Sequence, residues 1–199
     1  MNTKTHTRNL VLTTLSATAL LLMAGMSQVT AAADPQPFEG IASLCAIDPT
    51  TAGTTTKGNG VVVENQAVQL YRVETDSDLV MGWEVLTSKF KTTKSGKVYY
   101  MGTAKLTPDG YGGKDTLKEN FNLLQDGSLP AGTYTGTGDL KGVTVEYQLV
   151  PYPISTIPDP VLAGICAEAP PYCETGVCVP TAGEWGWSMS GVVYDDRDE

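Results

Sequence analysis

The chain has 199 residues, a net charge of −9 and a single histidine, His6. His6 falls in a segment expected to be removed, so the mature protein has no imidazole, which excludes a Ser-His-Asp triad, a Cys-His pair and a histidine-held zinc or haem. The acidic balance repels nucleic acid and anionic lipid headgroups, and such a surface ordinarily serves solubility.

The N-terminus reads as an export signal. Lys4 and Arg8 give a positive start, Leu10 to Met26 an apolar stretch and Ala31-Ala32-Ala33 a small-residue cleavage site. Thr13, Thr14, Ser16 and Thr18 interrupt the apolar stretch, which is short for a bilayer span of ~20 residues. Cleavage is expected after Ala33, leaving residues 34–199 as a single domain. Its balance of 11 basic against 22 acidic residues is −11.

Along this domain the pattern is of short strands with turn punctuation. A first strand carries Cys45, and the Thr- and Gly-rich stretch 50–60 reads as a mobile loop. The clearest hairpin runs from Gln66 to Leu86 around the polar turn Glu74 to Asp78. Pairing Val73 with Leu79 puts Tyr71, Val73, Leu79, Met81, Trp83 and Val85 on one face. A second hairpin turns at Ser95-Gly96, and pairing Lys94 with Lys97 adds Val98, Tyr100, Gly102, Ala104 and Leu106 to that face. The opposite face is polar at Arg72 and Glu84 but apolar at Leu86, Phe90, Tyr99 and Met101. A sheet whose buried side changes along its length suits a strongly coiled sheet or small barrel better than a flat one.

Further strands are expected at 118–124, 134–139, 143–150 and 184–194, separated by Pro108-Asp109-Gly110, Gly112-Gly113, Asp126-Gly127 and the Pro130 to Gly132 stretch. Residues 151–183 hold most of the prolines and three of the four cysteines, and read as an irregular disulfide-tied connection within the domain. Cys45, Cys166, Cys173 and Cys178 form an even set suited to two bridges, with Cys45 to Cys166 and Cys173 to Cys178 favoured among three connectivities. Their C-x6-C-x4-C spacing lacks the knuckle of a thiolate metal site. Asp195 to Glu199 form a solvated acidic tail. The fold class is therefore all-β, an antiparallel meander closing into a barrel of about eight strands.

The stretch Thr135-Gly136-Thr137-Gly138-Asp139-Leu140-Lys141-Gly142-Val143-Thr144 resembles the late-strand signature of the allene oxide cyclase and dirigent-like barrels, including secreted bacterial relatives. The resemblance covers about residues 80–150. It departs from the family pattern at Val145, where a further glycine is expected, and in the cysteine-rich C-terminal part. It implies an eight-stranded barrel whose lumen holds one small apolar molecule, which some members cyclise or guide in coupling. The same glycines do not form a phosphate cradle, because a strand and not a helix follows them.

Three functional readings follow. Tyr71, Trp83 and Tyr100 share the expected inner face and are candidates to line a pocket for a small apolar ligand, with no cofactor called for. Trp185 and Trp187 alternate on the last strand and mark a protein-interaction surface if exposed. Without histidine, an enzyme of the cyclase or isomerase type needs a buried carboxylate; Glu84, with Arg72 on its face, and then Glu146 are the candidates. Asp139 reads as a turn residue. Asp109, Asp115 and Glu119 are acidic neighbours without a calcium-loop spacing, and no metal site is expected.

Overall fold

The structure, a computed structural model, describes residues 34–127, 130–152, 160–167, 179–181, 183 and 185–197. The expected signal segment and the Cys173 to Cys178 bridge lie outside the described residues. The strands in chain order are β1 (Gln36–Asp48), β2 (Gly53–Thr56), β3 (Val62–Asn65), β4 (Val68–Thr75), β5 (Gly82–Thr92), β6 (Val98–Pro108), β7 (Leu117–Leu124), β8 (Ala131–Gly136), β9 (Val143–Pro151), β10 (Val179–Pro180) and β11 (Gly186–Asp195). One short helix, α1 (Pro160–Ile165), lies between β9 and β10.

Eight of these strands close a barrel, as the alternation predicted. β4 to β9 follow one another as an antiparallel meander interrupted only by loops, β11 pairs with β9, and β1 pairs with both β11 and β4. Each strand then has an inward row. On β6 that row is Tyr100, Gly102, Ala104 and Leu106, and on β9 it is Val143, Val145, Tyr147 and Leu149, both as expected.

The first hairpin differs from its expected register. Val73 pairs with Gly82, not with Leu79, so Tyr71 opposes Glu84 and Arg72 opposes Trp83. The cause is the turn itself. The Val80 and Met81 amides both donate to the Ser77 carbonyl, so the chain spends a helical turn before β5 begins, and Val80 drops fully buried into the core. A shift of three residues is odd, and odd shifts exchange the two faces of a strand. Trp83 consequently lies on the outer face, its ring 5.7 Å from the Arg72 guanidinium, and Glu84 faces inward. Arg72 makes a two-pronged ion pair with Asp109, at 2.7 and 2.6 Å, on that outer side.

The second hairpin also shifts, by one residue, because its loop is Lys94-Ser95-Gly96. Gly96 takes a positive φ of 80°, and the Thr93 amide donates to the Lys97 carbonyl at 2.8 Å. A three-residue loop closed by a left-handed glycine is a standard solution for a twisted hairpin. Val98 thereby meets Thr92 and Tyr100 meets Phe90, so Leu86 and Phe90 join the inner row while Tyr99 and Met101 stay outside.

Three further expectations are corrected. The supposed mobile loop 50–60 holds β2 and the turn of a hairpin with β3, the turn running from Lys57 to Gly60 with Gly60 at φ 78°, and β3 pairs with the far half of β5. The strand expected at 134–139 stops at Gly136, after which a single 3-10 turn, Gly138–Leu140, tucks Leu140 into the core. The supposedly irregular connection holds α1, whose Leu162 is fully buried and whose carbonyl accepts from the Ser43 hydroxyl at 3.1 Å.

Cys45 is bonded to Cys166, with Cα atoms 5.2 Å apart across 121 residues of chain. Closing so long a loop removes many unfolded conformations, and the chain-entropy account gives it about 5 kcal/mol. Replacing both residues, Cys45→Ala with Cys166→Ala, should lower the unfolding free energy by roughly that amount in urea titration. A change below about 1 kcal/mol would mean that β1 and α1 are held by packing alone.

Candidate functional site

One end of the barrel is plugged and the other is hollow. At the plugged end the turns after β4, β6 and β8 bring Val80, Leu117 and Leu140 together with Phe38 and Val193 in the core. At the other end, where β4, β6 and β11 begin and β5, β7 and β9 finish, lies a cavity of about 620 Å³. Its walls are mainly apolar and aromatic, with Leu86, Phe90, Tyr100, Leu149 and Trp187 among them. The aromatic wall follows from register. Phe90 and Tyr100 are direct cross-strand partners with rings 4.9 Å apart, and Tyr100 in turn lies 5.0 Å from Phe121.

Below this mouth cavity is a second space of about 40 Å³. Tyr71, Leu86, Leu149 and Trp187 line both, so they form the partition. The partition is braced by hydrogen bonds, the Trp187 indole bonding the Tyr71 hydroxyl, which itself donates to Gln69 Oε1 at 3.1 Å. Glu84, Tyr134 and Tyr147 line the floor.

The floor holds two carboxylate–tyrosine pairs. The Tyr134 hydroxyl donates to Glu84 Oε2, the Tyr147 hydroxyl donates to Glu119 Oε2, and the two tyrosine rings stack 4.8 Å apart. Glu119 lies on the inward row of β7, opposite Ala104 and two residues from Leu117, and beside it β7 and β8 pair only at Leu117 with Gly136 and Lys118 with Thr135 before they splay. Past that point the Glu119 carboxylate stands in for the missing ladder, accepting from the Thr133 amide at 3.4 Å. Gly132 makes room for it, since a Cβ there would collide with the carboxylate.

Burial pushes the Glu84 carboxyl up from its usual 4.5 to about 7, Glu119 adds to the rise, and the donated Tyr134 hydrogen bond offsets part of it. Glu84 keeps some accessible surface because it borders the floor cavity, but that space is too small to solvate a carboxylate as bulk water does. Burial likewise raises Glu119, whose bonds from Tyr147 and Thr133 oppose the shift, and holds both Tyr134 and Tyr147 well above an ordinary phenol.

Of the residues singled out from sequence, Tyr71, Tyr100, Trp185 and Trp187 line the mouth cavity and Glu84 lines its floor. Trp83 does not, because the hairpin register places it outside over Arg72. Glu146 is exposed on the outer row of β9, opposite Thr133 and Val192, so it is no buried carboxylate. Arg72, expected beside Glu84, is on the other face. Trp185 and Trp187 are neither both packed nor both exposed. Trp185 is 44 % exposed at the rim, Trp187 is half-buried, and their rings lie 5.3 Å apart. Asp139 is a turn residue whose amide donates to Asp115 Oδ1. Asp109, Asp115 and Glu119 are dispersed, and among the described residues no group of His, Cys, Asp or Glu is placed to hold a metal.

Tyr134, Tyr147 and Glu119 in the floor cluster were not identified from sequence as parts of the site. The signals for Tyr147 and Glu119 were their places in the inward rows of β9 and β7; what alternation does not show is the splay of β7 from β8 that lets the Glu119 carboxylate reach the Thr133 amide. No protein-family model, curated protein or solved structure matches the chain, so nothing identifies it with the allene oxide cyclase or dirigent-like barrels.

An acid with a raised folded pKa holds a proton in the native state that the unfolded chain has already released. Stability from this group is therefore full below about pH 4.5 and falls as pH rises towards 7. Glu84→Gln should flatten the fall, worth about 2–3 kcal/mol in wild type, when unfolding free energies at pH 5 and pH 8 are compared. Equal pH slopes in the two proteins would show that Glu84 is ionised in the native barrel at both values. Independently, Gly132→Ala should cost about 1–3 kcal/mol in the same assay by expelling the Glu119 carboxylate.

Proposed function

We propose that this is an exported barrel that binds a small, largely apolar molecule in its lumen. The observation that carries the reading is the cavity of about 620 Å³ at one mouth of an otherwise filled barrel. Ligand sites are commonly concave, of about 300–1,000 Å³, mostly apolar and provided with a few polar groups. Here the apolar part is Leu86, Phe90, Leu149 and the aromatic rings, and the polar groups are the Tyr71 and Tyr100 hydroxyls and the glutamines at the rim. The export part is supported by the signal-like N-terminus and by the Cys45–Cys166 bridge, which suits an oxidising compartment.

The tryptophans favour the lumen over a protein-docking surface. Trp187 belongs to the cavity partition, and Trp185 leans on it at the rim, so the pair extends the pocket wall. A second reading rests on Glu84. A carboxyl pushed up to about 7 and bonded to a tyrosine next to an apolar cavity is suited to move a proton during a cyclisation or isomerisation.

Native mass spectrometry of the protein from its own export compartment should show a co-purifying small molecule. A Trp187→Phe variant should lose it or lose the fluorescence response to its re-addition, whereas Trp83→Phe should keep both. A response carried by Trp83 would place the ligand on the outer face and defeat the lumen reading. If the bound molecule leaves chemically altered, and Glu84→Gln stops the alteration but not the binding, the enzyme reading prevails.

A further inference from the structure

Among the described residues, every charged side chain that borders the lumen is acidic. Glu84 lies at the floor and Asp126 at the rim, and no lysine or arginine among the described residues lines either cavity. The basic residues of the neighbouring strands have been sorted outward. Arg72 is engaged by Asp109 on the outer face, and Lys89, Lys91, Lys105 and Lys118 occupy outer-row positions of β5, β6 and β7. The approach to the floor is faced with electron-rich rings, those of Tyr71, Tyr100, Trp185 and Trp187.

These observations fit one ligand chemistry better than a neutral hydrocarbon. A carboxylate taken out of water is costly unless a cation or several donors meet it. Glu84 receives the Tyr134 hydroxyl on one oxygen, and the nearby Glu119 adds a second acid to the same interior. Aromatic faces attract ammonium groups through their quadrupoles, most strongly where water is excluded. An anionic ligand would meet acid at both rim and floor.

We infer that the lumen takes an organic cation, a primary amine on an apolar body, with the body in the mouth cavity and the ammonium directed through the floor space at Glu84. The floor space, about 40 Å³, admits a head group of roughly the volume of one water and nothing bulkier. The inference rests on the lumen-binding reading above and names the class of its ligand. It also explains why an acid and not an amide stands at the floor. With the amine seated, Glu84 is held ionised and any proton it carried passes to solvent.

Octylamine, octanol and octanoate separate the possibilities by calorimetric titration, since they share one apolar tail. A primary amine stays protonated to about pH 10, so at pH 8 the three probes carry a positive, a neutral and a negative head group on the same apolar tail. Octylamine should bind about tenfold more tightly than octanol, with octanoate weakest, and Glu84→Gln should erase the preference of octylamine over octanol. In wild type, titrations in two buffers of different ionisation enthalpy should show proton release on binding octylamine between pH 6 and 8, and none with octanol. The groups facing Glu84 are Tyr71 on β4, Tyr100 on β6, Glu119 on β7, Tyr134 on β8 and Tyr147 on β9, and the tyrosines do not ionise in that range.

Equal affinity for octanol and octylamine overturns the cation assignment and leaves the lumen reading standing. Failure of all three probes overturns both. A preference for octylamine that survives Glu84→Gln overturns the role of Glu84. Should that variant not fold, the absence of proton release in wild type overturns it equally.

Discussion

Closure through β1 is the constraint on which the remaining structure depends. β1 gives one edge to β11 and the other to β4, so the first strand of the domain joins its last strand to the start of the meander. A closed sheet has no free edge in the barrel wall and gives each strand an obligatory inside. What those inward rows carry then decides which part of the interior is solid. Toward the plugged end they carry Val73, Leu106, Leu117, Val143, Val145 and Val193, helped by the two side chains dropped in from turns, Val80 and Leu140. Toward the mouth they carry rings and glutamines that stand around a space without filling it.

Between the filled and hollow halves sits the carboxylate–tyrosine cluster, and stability alone does not account for it. Buried ionisable groups contribute little on balance, and well-packed apolar residues of the same volume often serve as well or better. The barrel nevertheless opens its β7–β8 ladder and keeps a glycine at 132 so that Glu119 can enter. It then meets both acids with tyrosine hydroxyls from β8 and β9. Tyrosine is suited to this place because it buries a large apolar ring while presenting one donor. The stacked rings of Tyr134 and Tyr147 carry the core upward and end it in polar atoms beneath the cavity.

Much of this architecture was legible because alternation reports the face of a strand directly. The inward rows of β6 and β9, the all-β class and the closure follow from local pattern, while cysteine arithmetic left three connectivities among which the observed Cys45–Cys166 pairing was the favoured one. Parity across the first turn was not legible. Whether Trp83 or Glu84 faces inward depends on the number of residues spent between Thr75 and Gly82, and the helical turn there uses an odd excess. The polar stretch Glu74 to Asp78 gives the position of the turn and not its length in space. Glu84 was singled out as a carboxylate between Trp83 and Val85 that shared a face with Arg72, opposite the expected inner face, and the shifted register turns it inward and away from Arg72. The inward position of Glu119 follows from alternation on β7, but its carboxylate's partner, the Thr133 amide, depends on the splay of two strands, a non-local feature that no window around residue 119 contains.

The rim of the cavity is held in place by the same disulfide that closes the chain. β1 has a bulge between Leu44 and Ala46, where it leaves β11 and takes up β10. Cys45 occupies that bulge and is tied to Cys166 just past α1, whose Leu162 is buried against β1. A bulge bends its strand and re-aims the backbone groups beside it. Here the freed Leu44 amide donates to the Trp185 carbonyl at 2.8 Å, and the Leu44 carbonyl accepts from Thr181. The segment leading into β11 is thus pinned to β1 at Trp185, two residues before Trp187 enters the cavity partition. Bulge, bridge and buried leucine together fix where the two tryptophan rings stand, so the shape of the mouth is set by covalent and backbone bonds and not by the rings themselves.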